Sequence, residues 1–322
     1  HMKKIKKKRI GFFSTNFRNH AVMKFLIETI KDLNKNDFET IAFNFTNPRF
    51  HDQVTEELKN NFTNWHDIHN LDDIATVNLI RKNKINILFD LVGYSGGTRL
   101  ELFKYRSATI QISWLGYTNS TGLDEMDYII ADPYVLDNNN YYSEKVLMMP
   151  EIWSSHLTLD KEIKINDLPF KKNGFITFGS FNNFAKISNE VIILWSQLLK
   201  KTKSKLILKS SSPLHETGSN NILDRFKAEG VDLNNVKILD RTDSYKKHLE
   251  CYNKIDISLD TIPYNGATTS FESIWMGVPV LTIIGNTFTS RYGYSINKNL
   301  NLNNFIAKDK NDFLDKALEI TS

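Results

Sequence analysis

The sequence has few cysteines and prolines and no long apolar runs, and these shortages exclude several classes of protein. Its 322 residues include a single cysteine, Cys251, which excludes an intramolecular disulfide framework. One cysteine is typical of a reducing compartment, so a cytoplasmic location is predicted. No apolar run reaches the roughly 18–20 residues that a membrane helix needs, and no signal-like apolar stretch follows the basic start. We therefore expect no membrane partner.

The positive net charge of +4 comes from the start of the chain. Residues 3–9 carry six positive side chains, and the remaining 35 basic residues are balanced by 37 acidic ones. A nucleic-acid-binding protein concentrates positive charge on its folded body. No nucleic-acid partner is predicted, and residues 1–8 are interpreted as a solvated basic tail. The sequence does not reveal the oligomeric state.

Short apolar runs alternate with helical segments, and this pattern starts again halfway along the chain. It predicts an α/β fold with two Rossmann-like halves and a ligand at the carboxyl ends of parallel strands, in a cleft between the halves. The predicted strands are Arg9–Ser14, Thr40–Phe45, Ile85–Val92, Thr109–Trp114, Tyr128–Ala131, Phe175–Gly179, Lys205–Lys209, Val236–Leu239, Ile255–Leu259 and Val280–Ile284.

Helical patterns fill the intervals between these strands. They cover Ala21–Leu33, Asp73–Lys82, Thr98–Tyr105, a helix capped by Ser188 and running to Lys200, Asn221–Glu229, Ser244–Asn253, a short helix capped by Thr269 or Ser270 and ending at Gly277, Arg291–Asn299, and the last dozen residues. Residues 152–173 lack steady periodicity. We therefore predict an N-terminal domain over 9–151, a linker over 152–173 and a C-terminal domain over 174–322.

Several familiar ligand motifs are missing from the chain. It contains no GxGxxG or GxxxxGK[ST] phosphate loop, no HExxH, no CxxC and no Asp-x-Asp triplet of the kind that holds a divalent metal in many sugar-nucleotide enzymes. No metal and no cofactor are predicted. If the protein handles phosphates, it must do so with its own side chains and backbone.

Three loop regions after predicted strands have the composition of ligand loops. Residues 179–186 (GSFNNFAK) bring a lysine to a strand end; residues 259–272 (LDTIPYNGATTSFE) lead into a helix start rich in hydroxyls, which favours a phosphate. Residues 90–99 and 114–122 are glycine-rich, so backbone can approach a ligand closely. Each region also has a plainer explanation. Residues 179–186 could be an ordinary loop with a surface lysine, residues 259–272 a helix cap with Glu272 as partner of the helix dipole, and the glycine-rich residues simple turns.

Taken together, the ordered motifs resemble one family. FGSFNNFAKIS (178–188), DISLDTIPYNGATTSFESIWMGVPVLT (256–282) and WLGYTNSTGLDEMDYIIAD (114–132), with NFRNH (16–20) and GYSGGTR (93–99), are similar to the SPINDLY and O-GlcNAc transferase family, and closer to the SPINDLY branch. The resemblance covers nearly the whole chain from Arg9. It implies a GT-B fold, in which two Rossmann-like domains with parallel sheets face a cleft.

The resemblance also implies an activity. Members are inverting, metal-independent transferases that move a sugar from a nucleotide donor to Ser or Thr hydroxyls of proteins. The family offers UDP-GlcNAc and GDP-fucose as donors, and UDP-GlcNAc is favoured here. The lysine-, asparagine- and isoleucine-rich composition suggests a bacterial source.

Site residues follow from the resemblance, position by position. The donor diphosphate would meet Lys186, whose charge stabilises the leaving group, together with Asn183, Thr268 and Thr269. Other matched positions would complete the donor site and the acceptor side: Glu272 on the ribose hydroxyls, His248 against the nucleobase, Tyr264 near the donor, Gly116 in the sugar pocket and His20 near the acceptor. A histidine with a near-neutral pKa could take the acceptor proton, and a positioning role for His20 stays equally open.

The chain departs from the family at several points. Asn16 stands where the family has Asp, a candidate proton acceptor; Gly96 stands where the O-GlcNAc branch has Lys; and residues 106–109 lack the family's prolines. Neither the upstream tetratricopeptide repeats nor the expected C-terminal crossing helix is present, so both a shortened chain and a minimal form stay open. These departures motivate an alternative function, a sugar-nucleotide-binding module with little or no transferase activity.

Overall fold

The computed structural model describes residues 7–33, 35–136, 141–154, 162–210 and 216–321. Contacts divide the chain into two compact units, one formed by residues 1–133 and 138–157, the other by 134–137 and 158–322. Each unit is built on one parallel sheet. Within the described ranges, no helix is both long enough and apolar enough to cross a membrane.

The first unit contains a seven-stranded parallel sheet in the order β3-β2-β1-β4-β5-β6-β7. Its strands are β1 (Lys8–Ser14), β2 (Phe38–Asn44), β3 (Asn64–Asp67), β4 (Ile87–Asp90), β5 (Ile110–Ser113), β6 (Tyr128–Ala131) and β7 (Lys145–Met148). Its α-helices are α1 (Ala21–Asp32), α2 (Gln53–Asn61) and α3 (Asp73–Lys82), and a 3₁₀ helix covers Leu100–Tyr105.

The core of this unit lies on both faces of β1. Phe12 and Phe13 are both buried, and because successive side chains of a strand point to opposite faces, they enter different apolar clusters. Phe12 packs with the buried side of α1, and Phe13 packs with residues of α3 and of the 3₁₀ helix. A strand buried on both faces is apolar throughout, which explains why the RIGFFS run was readable as a strand.

The second unit contains a six-stranded parallel sheet in the order β10-β9-β8-β11-β12-β13. Its strands are β8 (Thr177–Ser180), β9 (Lys205–Lys209), β10 (Val236–Leu239), β11 (Ile257–Leu259), β12 (Val280–Ile283) and β13 (Ile306–Ala307). Its α-helices are α4 (Pro169–Asn173), α5 (Asn189–Lys201), α6 (Glu216–Ala228), α7 (Tyr245–Glu250), α8 (Thr268–Trp275), α9 (Tyr292–Asn299) and α10 (Lys310–Thr321).

Both sheets have the Rossmann strand order, in which the chain reverses direction across the sheet after its first three strands. The reversal lies between β1 and β4 in the first unit and between β8 and β11 in the second. Ligands of open parallel sheets bind outside the carboxyl ends of the strands at this reversal. The α/β class with two Rossmann-like parallel sheets is confirmed, and the loops after β8 and β11 lie where a ligand is expected.

The elements not predicted from the sequence are weakly apolar or very short, as is the two-residue β13. β3 and β7 lie at the two ends of the first sheet's strand order and carry half-exposed or exposed side chains. α2 buries only Thr55 and Leu58, so its apolar periodicity is faint. The helix predicted over Thr98–Tyr105 is a 3₁₀ helix over Leu100–Tyr105 in the structure.

Residues 152–173, expected to be a linker, contain ordered contacts where they are described. The Trp153 N–H donates to Asp132 Oδ2 (2.9 Å) within the first unit, and Ile163 packs against an apolar cluster of the second. The helix α4 also falls inside this range. Of the predicted basic tail, residues 1–6 lie outside the described residues.

Candidate functional site

Lys186 lies in the loop after β8, and its ammonium group is half-enclosed. Its Nζ donates to the carbonyl oxygen of Asn265 (2.8 Å) and lies 3.9 Å from the ring centre of Tyr264. Burial lowers the pKa of Lys186 to about 8, and the nearby Asp260 carboxylate opposes this shift. The ammonium form therefore still predominates at neutral pH, and its charge is available to an anionic ligand.

The loop after β11 is held by the buried carboxylate of Asp260. Oδ1 accepts from the N–H groups of Thr261 (2.9 Å) and Gly266 (2.8 Å), and Oδ2 accepts from the Thr282 hydroxyl (2.8 Å). Burial raises the pKa of Asp260 to about 6, against these stabilising hydrogen bonds. By holding both ends of residues 261–266, Asp260 fixes the loop whose carbonyl at Asn265 meets Lys186.

The helix α8 begins without a side-chain cap, which corrects a prediction. Thr269 or Ser270 was expected to cap it, but the helix already starts at Thr268, and Ala267 precedes it with no side-chain hydrogen bond to the first turn. The Thr269 hydroxyl instead donates to Asn182 Oδ1 (3.0 Å), and that of Ser270 donates to the Gly266 carbonyl (2.8 Å). Since the N–H groups of Ser270 and Phe271 bond to the Ala267 carbonyl, those of Thr268 and Thr269 are left for an anion, which the helix dipole also favours.

Gly266 allows the loop and the helix to approach each other closely. A Cβ atom at this position would lie 2.3 Å from Thr269 Oγ1 and 2.8 Å from Asn182 Oδ1. No side chain fits between these two atoms and the backbone. Glycine is therefore required here for contact between the loops after β8 and β11.

Glu272 is buried in the second turn of α8. Its Oε1 accepts from the Tyr245 hydroxyl (2.8 Å), and its Oε2 lies 3.1 Å from His248 Nε2. This pairing argues against a role as a simple partner of the helix dipole. It also shows that His248 is not a free surface residue, since only 13% of its side chain is exposed.

The second unit thus brings most of the predicted donor residues to one sheet edge. Lys186 and Tyr264 are in contact, Thr268 and Thr269 open α8, and Glu272 pairs with His248. Asn183 lies on the loop of Lys186, where it is exposed and its Oδ1 accepts from the Ala185 N–H (3.0 Å). His20 and Gly116 belong to the first unit, as described next.

His20 caps the start of α1, and its surroundings do not give the near-neutral pKa that was expected. Its Nδ1 accepts from the Val22 N–H (3.3 Å), so the neutral ring carries its proton on Nε2. Burial, with the positive charges of Arg18 and Lys24, lowers the pKa of His20 to about 4. The ring held in this way donates a hydrogen bond from Nε2, which fits positioning better than proton uptake.

Gly116 is packed against backbone. A Cβ atom there would lie 1.9 Å from the Leu91 carbonyl oxygen, and the preceding Leu115 has a left-handed φ of 81°. Close packing of two loops at the carboxyl ends of β4 and β5 is therefore sufficient to require glycine at 116. Whether a sugar also lies there stays a prediction.

Asn16 lies beside a cavity in the first unit. It is 7% exposed, and it lines a space of about 620 Å³ at the carboxyl ends of β1 and β2 together with Gly96. A Cβ atom at Gly96 would meet nothing within 4 Å, so the cavity has room for a side chain at this position.

Four residues of the site were not assigned roles by sequence reasoning. They are Asn182, Asp260, Lys209 and Tyr245. Asn182 and Asp260 stand at strand ends inside quoted motifs, which is a usable signal. Lys209 and Tyr245 gave none, because their partners are 39 and 27 positions away along the chain. Within the residues described, no three His, Cys, Asp or Glu side chains group as metal ligands do.

The two sheets, with ligand-type loops at their carboxyl edges, define the GT-B class of glycosyltransferase architecture. Anabaena HepE, solved with UDP and glucose, shares this fold at a TM-score of 0.53 and 10% identity, over 96% of this chain and 92% of HepE. The profile of glycosyl transferase family 41 matches residues 1–159 and 164–322. The chain belongs to glycosyl transferase family 41.

Individual relatives agree with this assignment. A probable UDP-N-acetylglucosamine–peptide N-acetylglucosaminyltransferase SPINDLY of Oryza sativa subsp. japonica is 30% identical over 97% of this chain and 34% of its own length. An O-GlcNAc transferase of Thermobaculum terrenum, solved as a lysine-to-methionine mutant, superposes with a TM-score of 0.91 at 28% identity, over 98% of this chain and 60% of that one. The chain spans about a third of the length of the curated SPINDLY relatives that it matches across nearly its whole length.

Proposed function

We propose that this chain is the catalytic region of an inverting, metal-independent glycosyltransferase that moves a sugar from a nucleotide-sugar donor to Ser or Thr hydroxyls of proteins. GlcNAc from UDP-GlcNAc is the favoured sugar, and fucose from GDP-fucose is the alternative. The relatives described above are named as peptide N-acetylglucosaminyltransferases, which supports the first choice. The single cysteine supports a cytoplasmic location.

One observation carries this proposal: Lys186 and the uncapped start of α8 meet at the strand reversal of the second sheet. The carbonyl that binds Lys186 belongs to Asn265, two residues before the cap position Ala267. A diphosphate at this edge would be met by the lysine charge on one side and by helix N–H groups on the other. The pairing needs no motif of metal-binding carboxylates.

The chemistry that follows is a displacement at the anomeric carbon. The acceptor oxygen forms a bond to that carbon while the bond to the diphosphate oxygen breaks; the electron pair leaves with the diphosphate, and the hydroxyl proton passes to a phosphate oxygen of the leaving group or to water. Lys186 and the α8 N–H groups stabilise the negative charge that develops on this leaving group. Glu272 and His248, buried against each other, form the nucleoside side of the same edge.

The acceptor hydroxyl must also lose its proton. His20 cannot take it at Nδ1, which already accepts the Val22 N–H, and the neutral ring holds a proton on Nε2. We therefore propose that His20 positions the acceptor or the sugar by donating from Nε2. This property of His20 and the amide at Asn16 also favour the second candidate, a nucleotide-sugar-binding module with little or no transferase activity.

A calorimetric titration with UDP, GDP, UDP-GlcNAc and GDP-fucose, with and without a divalent metal, tests the proposal. We expect one nucleotide family to bind with the same affinity in both conditions. Failure of all four to bind would contradict the donor site. Binding without donor hydrolysis or acceptor-dependent transfer would favour the binding-module function.

A further inference from the structure

Lys209, the last residue of β9, is a buried lysine without a role in the function proposed above. Its side chain is among the largest that are fully buried, with 1% exposure. Its Nζ lies 2.9 Å from Nδ1 of His248 on α7. An ammonium group can only donate, so His248 Nδ1 is the acceptor in this hydrogen bond.

The direction of this first hydrogen bond fixes the next ones. With Nδ1 accepting, a neutral His248 ring carries its proton on Nε2, which lies 3.1 Å from Glu272 Oε2 and donates to it. The other oxygen of Glu272 accepts from the Tyr245 hydroxyl at 2.8 Å. The order is therefore Lys209 to His248 to Glu272, with Tyr245 donating to Glu272 from the opposite side.

We propose that Lys209 is a positioning residue of the nucleotide site, which holds His248 neutral in the Nε2–H form and thereby orients the Glu272 carboxylate. This inference rests on the proposed function, because His248 and Glu272 are taken as the nucleoside side. It also limits how the base is recognised. Both ring nitrogens of His248 are engaged, so this histidine offers a nucleobase its ring face for stacking and no free edge for hydrogen bonds.

The charges around His248 explain why a lysine is placed there. Lys209 faces the ring from β9 and Glu272 faces it from α8, while Tyr245 lies on the same helix as His248. Other titratable groups near these hydrogen bonds are Tyr252, beside the His248 ring, and Cys251 and Arg241, which interact electrostatically with Lys209. Among them, Lys209 is the group that donates a hydrogen bond to Nδ1.

Removing the ammonium group changes what His248 can do. Without Lys209, the ring faces the Glu272 carboxylate with Nδ1 free, so protonation to an imidazolium is opposed by no contact and favoured by the carboxylate. In the wild type, protonation of Nδ1 would break the bond to Lys209 and bring two positive charges together. Loss of the ammonium group therefore removes both the hydrogen bond that fixes the Nε2–H form and the positive charge that opposes an imidazolium.

The direct test is the ¹⁵N spectrum of histidine in the full chain, without nucleotide. His248 is assigned by its loss in His248→Gln. We expect the wild type to show the neutral Nε2–H form between about pH 6 and about pH 8. Lys209→Met should show imidazolium growing as the pH falls, whereas Lys205→Met, at the exposed end of the same strand, should match the wild type. A wild-type imidazolium, or an unchanged spectrum in Lys209→Met, would overturn the proposal.

Two further measurements keep the test decisive. Lys209→Gln removes the charge, and its amide oxygen can accept from a protonated Nδ1–H, so if the Met variant does not fold, the Gln variant must show imidazolium growing at low pH. For the nucleotide that binds the wild type, Lys209→Met should weaken affinity about tenfold near pH 8, the size of one charged hydrogen bond. An affinity equal to that of wild type would contradict the positioning role. If neither UDP nor GDP binds the wild type, the proposed function fails while the spectra still decide the hydrogen-bond order.

Discussion

At the residue scale, the site depends on charges that are buried without being neutralised in ion pairs. Lys186 bonds to a carbonyl oxygen and lies over the Tyr264 ring, and within the described residues no carboxylate is at ion-pair distance from it. The ammonium group of Lys186 can therefore still form an ion pair, and we expect an anionic ligand to be its partner. Asp260 also acts on Lys186 indirectly, by holding the loop that carries the Asn265 carbonyl.

Lys186→Ala should lower kcat far more than it weakens nucleotide binding. Its charge acts mainly on the leaving diphosphate, where loss of one such group costs about 10²–10³ in rate. Steady-state kinetics and calorimetry with the same donor measure the two effects. The exposed Lys205→Ala serves as control, and an unchanged kcat in Lys186→Ala would remove this lysine from the mechanism.

The fall of kcat/KM at alkaline pH (the alkaline limb of the pH profile) should reflect deprotonation of the Lys186 ammonium group. Because the pKa of Lys186 is about 8, its charge is present below that pH and is lost above it, so kcat/KM should fall as the pH rises through about 8. The Asp260 carboxylate raises this pKa, and Asp260→Asn should move the limb to lower pH.

Asp256→Asn is the matched control for that shift. Asp256 is as buried as Asp260, but it precedes β11 and accepts from the N–H groups of Phe170 and Thr177. This variant should lose stability without moving the limb. A limb that stays in place in Asp260→Asn would show that another group titrates.

Asn16→Asp should raise kcat. His20 is a poor proton acceptor as it is held here, and a carboxylate at position 16 would add a general base, for which gains of about 10²-fold are ordinary. Asn86→Asp is the control, because it keeps the oxygen that accepts the Arg9 N–H and lies just before the amino end of β4, away from this cavity. If activity does not change, the acceptor proton leaves by a route that does not involve position 16.

At the level of secondary-structure elements, the important feature of α8 is that no side chain caps its N-terminus. Its hydroxyl residues Thr269 and Ser270 follow the cap position Ala267 and lie inside the first turn, and they bond to Asn182 and Gly266 instead. The same contacts join the loops after β8 and β11. The hydroxyl groups that leave the helix start uncapped are therefore the same groups that hold the two loops together, and we call this set of contacts the clamp.

Gly266→Ala should disrupt this clamp. The new methyl group would collide with Thr269 and Asn182, and such overpacking costs about 1–3 kcal/mol. We expect weaker nucleotide binding by calorimetry as well as a lower Tm. Gly230→Ala replaces a glycine with φ of +75° in open space, so it should lower Tm and leave the affinity unchanged. Wild-type affinity in Gly266→Ala would argue against the clamp.

At the scale of the whole molecule, the chain repeats one topology in two units. Each sheet has its strand reversal between its first and fourth strands, and residues of the proposed site lie in the loops there: Asn16 and His20 in the first unit, Lys186 and the 260–266 loop in the second. Most residues proposed to bind the donor lie in the second unit, so a nucleotide should act mainly on that unit.

Hydrogen exchange with and without nucleotide should show this division. We expect slower exchange in residues 181–188 and 261–272, because bound phosphate and nucleoside would hold those amides. Residues 38–67, which span β2 to β3 in the first unit, serve as the internal control and should not change. Protection confined to the first unit would place the nucleotide elsewhere than proposed.

Local patterns along the chain were enough to predict the class of fold and the segments proposed for the site. Strands such as Tyr128–Ala131 and Lys205–Lys209 and the helix cap at Ser188 were predicted where the structure has them, because the centres of buried parallel strands are apolar runs and helix caps are local. The segments with Lys186 and Thr268–Glu272 were identified from local order along the chain. Weakly apolar edge strands such as β3 gave no such signal.

Only the tertiary structure decided how the side chains pair and what charge they carry. The contacts of Lys186 with Asn265 and of Lys209 with His248 join residues 79 and 39 positions apart, and no local pattern predicts them. Likewise, the pKa values of His20 and Asp260 depend on burial and neighbouring groups. The physical reason is that propensity and periodicity act over a few residues, whereas desolvation and hydrogen-bond partners are set by the packing of distant segments.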